Sequence, residues 1–511
     1  MTTASFCILG AIAVYLIMMV YIGVRFSKGN SDSEDFYLGG RKMGPMVTAM
    51  SAEASDMSSY LLMGLPGLAY LTGICDVGWT VIGLALGTYL NWLLVARRLR
   101  CYSSKLNAIT VPEFFSKRFH DDKNILSAIA GMVIIVFFIP YTASGFAACG
   151  KLFNSLFGVN YTVAMVISAV IILTYTVLGG FSAVSTTDLI QSIVMTIALI
   201  IVVFFGINVA GGWGAVVDNA KTLPGYLNMN AMYDVESGSS VGYGGIITII
   251  STMAWGLGYF GMPHILLRFM AIKDENKLKI SRRIASIWVV IAMTVAVLIG
   301  IVGLGMSKAG AIDYLNTTAS SETIIVKIAG LLSEYGIFPA IIAGIILAGI
   351  LAATMSTADS QMLAAASAVS QNIVVEFFKK KLTDKQNLWF ARITIIVISI
   401  IALFLAMNPD SSVFQIVSFA WAGFGAAFGP VMICSLFWKR ANKAGALAAM
   451  IGGGATVFIW KFLIKPIGGV FGIYELLPAF IVALILMVVV SLLTKAPDQD
   501  VVDEFIASKS L

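Results

Sequence analysis

The sequence predicts an all-α polytopic membrane protein of about thirteen transmembrane helices, and three observations carry that prediction. Hydrophobic residues fill 59% of the 511 positions and charged residues only 12%, too few to clothe a soluble core of that size in polar surface. Apolar runs of about 20 residues, enough to cross about 30 Å of hydrocarbon as helix, recur from the first residues almost to the last. Lys and Arg gather in alternate connections, as the positive-inside rule requires of a chain that crosses repeatedly. The lipid bilayer is the solvent these observations imply.

The first run, 6–25, follows a start without a positive n-region and ends in Arg25 without a small-residue cleavage pattern, so it reads as a retained span rather than a signal peptide. The others lie near 45–72, 75–96, 124–154, 160–178, 184–210, 244–270, 284–306, 337–372, 390–407, 413–436, 444–464 and 475–494. An odd number places the termini on opposite sides. With the N-terminus outside and the C-terminus cytoplasmic, all but six of the 33 Lys and Arg fall on inner loops or inner helix ends, from Arg25 and Lys28 through Arg268 and Lys273 to Lys495 and Lys509. The exceptions are Lys151, Lys221, Lys308, Lys327, Lys461 and Lys465. The outer loop 211–243, Gly-rich and containing Trp213, Pro224 and Tyr226, reads as a connector rather than a lid, and 322–334 as a short surface helix.

A transmembrane helix surrenders backbone hydrogen bonds only where protein or a water-filled cavity replaces them, so an interruption at mid-depth marks a binding site. Two spans carry such interruptions. The second reads Ser51-Ala-Glu-Ala-Ser-Asp-Met-Ser-Ser-Tyr60 and then Leu61-Leu-Met-Gly-Leu-Pro-Gly67, with Glu53 and Asp56 near mid-span, where a charge costs at least a few kcal/mol. The seventh reads Trp255-Gly-Leu-Gly-Tyr-Phe-Gly-Met-Pro263-His264. These spans are five apart, and units of five crossings enter the membrane in opposite directions, which is the arithmetic of an inverted repeat. The chain therefore divides into a first span and inner loop (1–44), repeat halves 45–210 and 244–436 joined by the outer loop 211–243, and two additional spans with an inner tail (437–511). Glycine and proline are common in membrane helices generally, but here acids and hydroxyls accompany the breaks.

The ninth span carries a third signal, Leu351-Ala-Ala-Thr-Met-Ser-Thr-Ala-Asp-Ser-Gln361. Ser356 and Thr357 offer hydroxyl oxygens which, with carbonyls freed at a broken partner, make a shell of hard ligands for an alkali cation, sodium first. A single hydroxyl more often bonds back to its own helix; the cluster with Asp359 and Ser360 outweighs that reading. Asp188, in Ser185-Thr-Thr-Asp188, stands at the inner start of the sixth span, where it serves either as a helix cap or in ion release. The cysteines Cys7, Cys75, Cys101, Cys149 and Cys434 show no C-x-x-C spacing and the histidines are two, His120 and His264, a poor basis for a zinc, haem or iron–sulfur site. Gly256-Leu-Gly-Tyr-Phe-Gly261 matches a dinucleotide pattern in letters alone, since it follows no strand. With no P-loop either, no nucleotide partner is expected, nor nucleic acid, nor an obligate protein partner.

Together Asp35-Phe-Tyr-Leu-Gly-Gly-Arg41, Ala54-Ser-Asp-Met-Ser58, Leu61-Leu-Met-Gly-Leu-Pro-Gly67, Trp255-Gly-Leu-Gly-Tyr-Phe-Gly261 with Pro263-His264, Met355-Ser-Thr357 and Ala420-Trp-Ala-Gly-Phe-Gly-Ala-Ala-Phe-Gly-Pro430 resemble the solute:sodium symporter family, over about residues 6–495. The resemblance implies thirteen helices with a leucine-transporter-type core of two inverted five-helix repeats. It implies sodium held by backbone oxygens of Ala54, Met57 and Ala353 and the hydroxyls of Ser356 and Thr357, with Asp56 the sodium-sensitive carboxylate. The implied solute site is Ser58, Tyr60, Gly64, Tyr141, Trp255, Tyr259 and Pro263, fit for a compact zwitterion such as proline. The proline-carrying branch has Gly, Gly and Trp where this chain has Glu53, Ser59 and Tyr60. Asp359 stands where some members have a serine that shares a second sodium site with the counterpart of Asp188.

The expected activity is thus sodium-coupled symport of a small amino acid into the cell by alternating access. The alternatives are a sodium- or proton-coupled symporter of another small solute, such as a different amino acid, betaine or a carboxylate vitamin, and, further off, an ion channel. Polar residues clustered at mid-depth rather than along a continuous pore weigh against a channel, and the missing catalytic constellation against a membrane enzyme.

Overall fold

In lipid a lone crossing segment satisfies its own backbone only as helix, and the apolar runs fold accordingly. The computed structural model describes residues 2–27 and 33–509; Lys28 lies outside the described residues. Among them, ten helices are long and apolar enough to cross a membrane, and Ile246–Phe260 with Pro263–Ala271, bent by 45°, makes an eleventh span. The other two expected crossings are 45–72, whose acids and serines lower its hydropathy and which is interrupted at Ser58, and the short apolar Tyr161–Thr174. The latter runs on as the helix Tyr161–Val209, broken at Gly180 (φ 65°, ψ −172°), so that the fifth and sixth spans meet there. Inner and outer denote below the faces that the charge pattern predicts.

The ninth span, Ile337–Ser367, is the hub. Every residue from Ile346 to Ser367 is buried, against the first, second, fourth and sixth spans. The last two spans, Lys443–Ile459 and Leu476–Leu493, pack on each other and on the eleventh span, Val413–Phe437, at the rim.

Two connections differ from expectation. The outer loop holds a helix, Trp213–Lys221, and an antiparallel hairpin that pairs Ala231 with Gly242 and Asp234 with Ser239, a strand pair in a fold expected to be all helix. Tyr226, fully buried, donates its hydroxyl to the carbonyls of Ala69 (2.7 Å) and Tyr70 (2.9 Å), and the Trp79 indole donates to Met229 O (2.8 Å), which fastens this loop to the outer ends of the second and third spans. The segment expected to be a surface helix is instead packed: in Ile324–Ser333, the side chains of Ile324, Ile325, Ile328 and Leu332 are buried. The physical reason is Glu322 just before it. Its carboxylate takes Lys151 Nζ at 2.7 Å and accepts from Ser412 Oγ (2.9 Å) and the Phe414 N–H (3.1 Å), so a buried charge anchors the helix to the fourth and eleventh spans.

Candidate functional site

The second span runs as helix from Pro45, reaches Ser58 in a left-handed conformation (φ 46°, ψ −171°), and resumes as a π-turn over Tyr60–Gly64 before Leu65–Thr72. A non-glycine residue held there costs about 1–3 kcal/mol, a strain that persists where function over-determines it. The Ser58 hydroxyl accepts the Tyr60 N–H at 3.1 Å. The seventh span tightens into a 3₁₀ segment, Ala254–Phe260, turns at Gly261 and restarts with Pro263 in the first turn of Pro263–Ala271.

The third span services both breaks. Asn91 Nδ2 donates to the carbonyl of Tyr259 (3.0 Å) and the Trp92 indole to Glu53 Oε1 (3.0 Å). It comes this close because side chains are missing: a Cβ on Gly256 would lie 2.2 Å from Gly83 O and 3.2 Å from the Gly87 Cα. The glycines of the seventh span therefore serve close packing as well as the break.

At the first break the expected cation ligands converge. Ser356 Oγ donates to Ala54 O at 2.8 Å and to Ala353 O at 3.2 Å, and Thr357 Oγ1 to Ala353 O at 3.2 Å. All four residues are buried, and the oxygens come from the second and ninth spans, which pack against each other here. The Met57 carbonyl, the fifth expected ligand, accepts the Tyr60 N–H and keeps its second lone pair.

Next to this junction lies a nearly closed cavity of about 10 Å³, lined by Asp56, Met57, Tyr60, Leu84, Tyr141, Trp255, Met293, Val417 and Trp421. Tyr259 donates its hydroxyl to Asp56 Oδ2 (2.5 Å) and Tyr141 to Asp56 O (3.3 Å). Tyr60 stacks on Trp255 with centroids 5.5 Å apart, and Trp255 stacks in turn on Tyr474 at 5.0 Å. Of the expected solute residues, Tyr60, Tyr141 and Trp255 line the cavity and Tyr259 braces its acid. Gly64 instead sits against Phe414, and Pro263 starts the inner half-helix, outside the lining set. Leu84, Met293 and Val417 escaped the sequence reading because single apolar residues in apolar spans carry no signal; Trp421 stood in a quoted motif without a role.

The remaining ion-coupling candidates meet on the inner side. Asp188 lies well inside the helix that restarts at Gly180, so it caps nothing; its Oδ2 accepts from Ser51 Oγ (2.6 Å) and from Arg268 Nη2 (3.1 Å). Arg268, counted in the sequence among the inner helix-end charges, is 1% exposed and also reaches Ser360 Oγ at 2.5 Å. The Ser360 hydroxyl lies 3.3 Å from Asp359 Oδ1, and Asp359 is buried.

A family model described as the sodium:solute symporter family matches residues 36–453. The osmoregulated proline transporter of Bacillus subtilis (strain 168) is 40% identical over 488 residues, 95% of either chain. The sodium/proline symporter of Escherichia coli (strain K12) is 41% identical over 490 residues, 95% of this chain and 92% of that one. Among solved structures, a sodium-coupled sialic acid symporter in a substrate-bound outward-open state superposes with a TM-score of 0.77 at 18% identity, over 96% of this chain and 99% of that one. A nucleobase-cation-symport-1 family transporter in a closed conformation does so with 0.51 at 13% identity, over 92% and 98%. At those identities the likeness is one of fold, the helical transporter architecture with a leucine-transporter-type core.

Proposed function

Since this chain belongs to the sodium:solute symporter family, a family of transporters and not enzymes, we propose that it carries proline into the cell with sodium, by alternating access, its N-terminus outside. The observation that carries this reading is the contact of Ser356 with the Ala54 carbonyl across the second and ninth spans, with Thr357 on the neighbouring Ala353 carbonyl, beside the aromatic cavity. A dehydrated sodium ion takes hard oxygen ligands, and Ala54, Met57, Ala353, Ser356 and Thr357 supply five of them from the second and ninth spans. Sodium there ties the two spans together and orders the break at Ser58. The same break positions Asp56 and Tyr60 at the cavity, so ion and solute favour each other's binding, reciprocally.

The cavity is closed down to about 10 Å³ here, and it is the chemistry of its walls that suits a compact solute once they part. Its aromatic walls cover an apolar ring, and Asp56 with the freed main-chain groups of the break stands where the charges of a zwitterion need partners. The proline transport named for the bacterial relatives at about 40% identity points the same way. One charge moving down the membrane potential releases about 2.3 kcal/mol per 100 mV, enough to draw solute uphill. The two breaks, stacked face to face through Tyr60 and Trp255, also support the division into repeat halves 45–210 and 244–436.

Labelled proline uptake into proteoliposomes, with and without an inward sodium gradient, tests the proposal. Gradient-dependent accumulation is expected, and equal uptake in both conditions refutes sodium coupling. Tyr60 in place of the tryptophan of the proline-carrying branch favours testing betaine and other small amino acids as competitors in the same vesicles.

A further inference from the structure

One buried cation in this protein faces away from the solute cavity. The Arg268 guanidinium donates from Nη2 to Asp188 Oδ2 (3.1 Å) and Ser360 Oγ (2.5 Å), from Nε to Ser51 Oγ (3.0 Å) and from Nη1 to the His264 carbonyl (2.9 Å). Its carbon lies 5.2 Å from the centre of the Phe181 ring, next to the break at Gly180. Arg268 and Asp188 are 1% and 0% exposed, so a full ion pair is held out of water by hydroxyls from two further spans. Such a pair is costly to bury and contributes little net stability over an apolar contact of equal volume, so stability alone does not explain it.

Its depth is informative. Ser51 precedes Ala54 by three residues and Ser360 follows Ser356 by four, each about one helical turn toward the inner face. The oxygens that hold the guanidinium are therefore a second cage, one turn inward of the candidate sodium shell, built from the same two spans plus the sixth. An ion leaving the shell toward the cytoplasm meets this cage first.

We propose that Arg268 is a resident cation that plugs the inward exit of the ion shell, and that its release from Ser51, Asp188 and Ser360 is the opening of the inner gate. The guanidinium joins the two mobile inner halves, of the second and seventh spans, to the sixth and ninth spans. While it bridges all of them, those halves cannot swing away from the hub. A lysine, with a compact ammonium instead of a planar fork, cannot bridge the three side-chain oxygens and the carbonyl at once, so charge alone does not substitute for Arg268.

The inward direction assigned to the gate rests on the proposed topology, but the test needs no solute. Two single-cysteine reporters are placed in a background with the native cysteines replaced: Thr48→Cys, one turn inward of Ser51, and Val417→Cys in the cavity wall. Each is labelled with a membrane-impermeant maleimide, the first from the cytoplasmic face of inverted vesicles and the second from the outer face of right-side-out ones. Removing both charges with Arg268→Gln and Asp188→Asn avoids stranding a lone buried ion. This pair is expected to speed labelling at position 48 at least tenfold and to slow it at position 417, a shift toward an inward-open state; Arg268→Lys is expected to give the same opposed shift in smaller measure. A merely structural staple, once lost, loosens both faces. Equal acceleration at both reporters, or no change at either, in whichever of the two variants reaches the membrane, overturns the gate. A protein that shows the opposed shift yet takes up no proline keeps the gate and loses only the solute.

Discussion

Removal of the two hydroxyls at the candidate ion shell is the most direct probe of how the breaks work. Ser356 and Thr357 are fully enclosed, at 0% and 3% exposure, and the cavity beside them has little room for a replacement water. Each hydroxyl is one of five oxygens proposed to hold the ion. A polar contact to a charged group contributes about 1.5–3 kcal/mol, so Ser356→Ala or Thr357→Ala is expected to raise the sodium concentration for half-maximal transport roughly 10- to 150-fold. The larger effect belongs to Ser356→Ala, because that hydroxyl also bridges Ala54 and Ala353 and so joins the second span to the ninth. Both side chains touch the Ala353 carbonyl, so the double variant is expected to fall short of the product of the singles. The assay is initial-rate uptake of labelled proline into proteoliposomes across a sodium series, with Thr357→Ser, which keeps the oxygen, as control. Shifts below threefold in both alanine variants, with uptake still driven by sodium, refute the shell.

Tyr60→Ala removes a ring stacked on Trp255 at 5.5 Å and opens the cavity wall; half-saturating proline is expected to rise at least tenfold while sodium dependence moves less than threefold, and equal shifts in both would place Tyr60 outside the solute wall. Gly256→Ala drives a methyl against Gly83 O at 2.2 Å, where backbone cannot yield, and is expected to cost about 3 kcal/mol or more, read as a lower Tm in detergent; Gly10→Ala, with nothing within 4 Å of its added carbon, leaves Tm unchanged. Glu322→Gln strands Lys151 in a buried site at a cost of about 3–5 kcal/mol, and adding Lys151→Met recovers most of it, so a double-mutant Tm no higher than that of Glu322→Gln would show the pair is not the anchor.

The breaks were legible in the sequence because hydroxyls, acids, Gly and Pro have few reasons to share a membrane-depth run, and at Ser58 and Gly261 the chain does depart from helix. Ser356 and Thr357 were legible for the same reason. What the sequence concealed is which faces meet. Phe414 reaches the cavity region from a span whose rotation about its axis no hydropathy profile records, and Tyr474 from the connection before the last span. Arg268 was misread because a basic residue near an inner helix end satisfies the positive-inside rule equally well in water or in a cage of buried oxygens. Asp188 was half-read, its cap reading failing because the helix restarts at Gly180, about two turns before Asp188. The outer hairpin was missed because its strands are short and only one, Ala231–Asp234, has partly buried side chains.

The seam of Gly83, Gly87 and Gly256 bears on motion. Where helices meet through side chains, rotamers trade places and the pair slips; where backbone lies on backbone, no side chain is there to yield. The third and seventh spans must therefore travel as one plank near Gly256, and the excursion of the cycle falls to joints at its margins: Ser58, the turn at Gly261, and Gly180. A covalent strap across the seam would leave turnover intact, whereas one across any of those joints would arrest it.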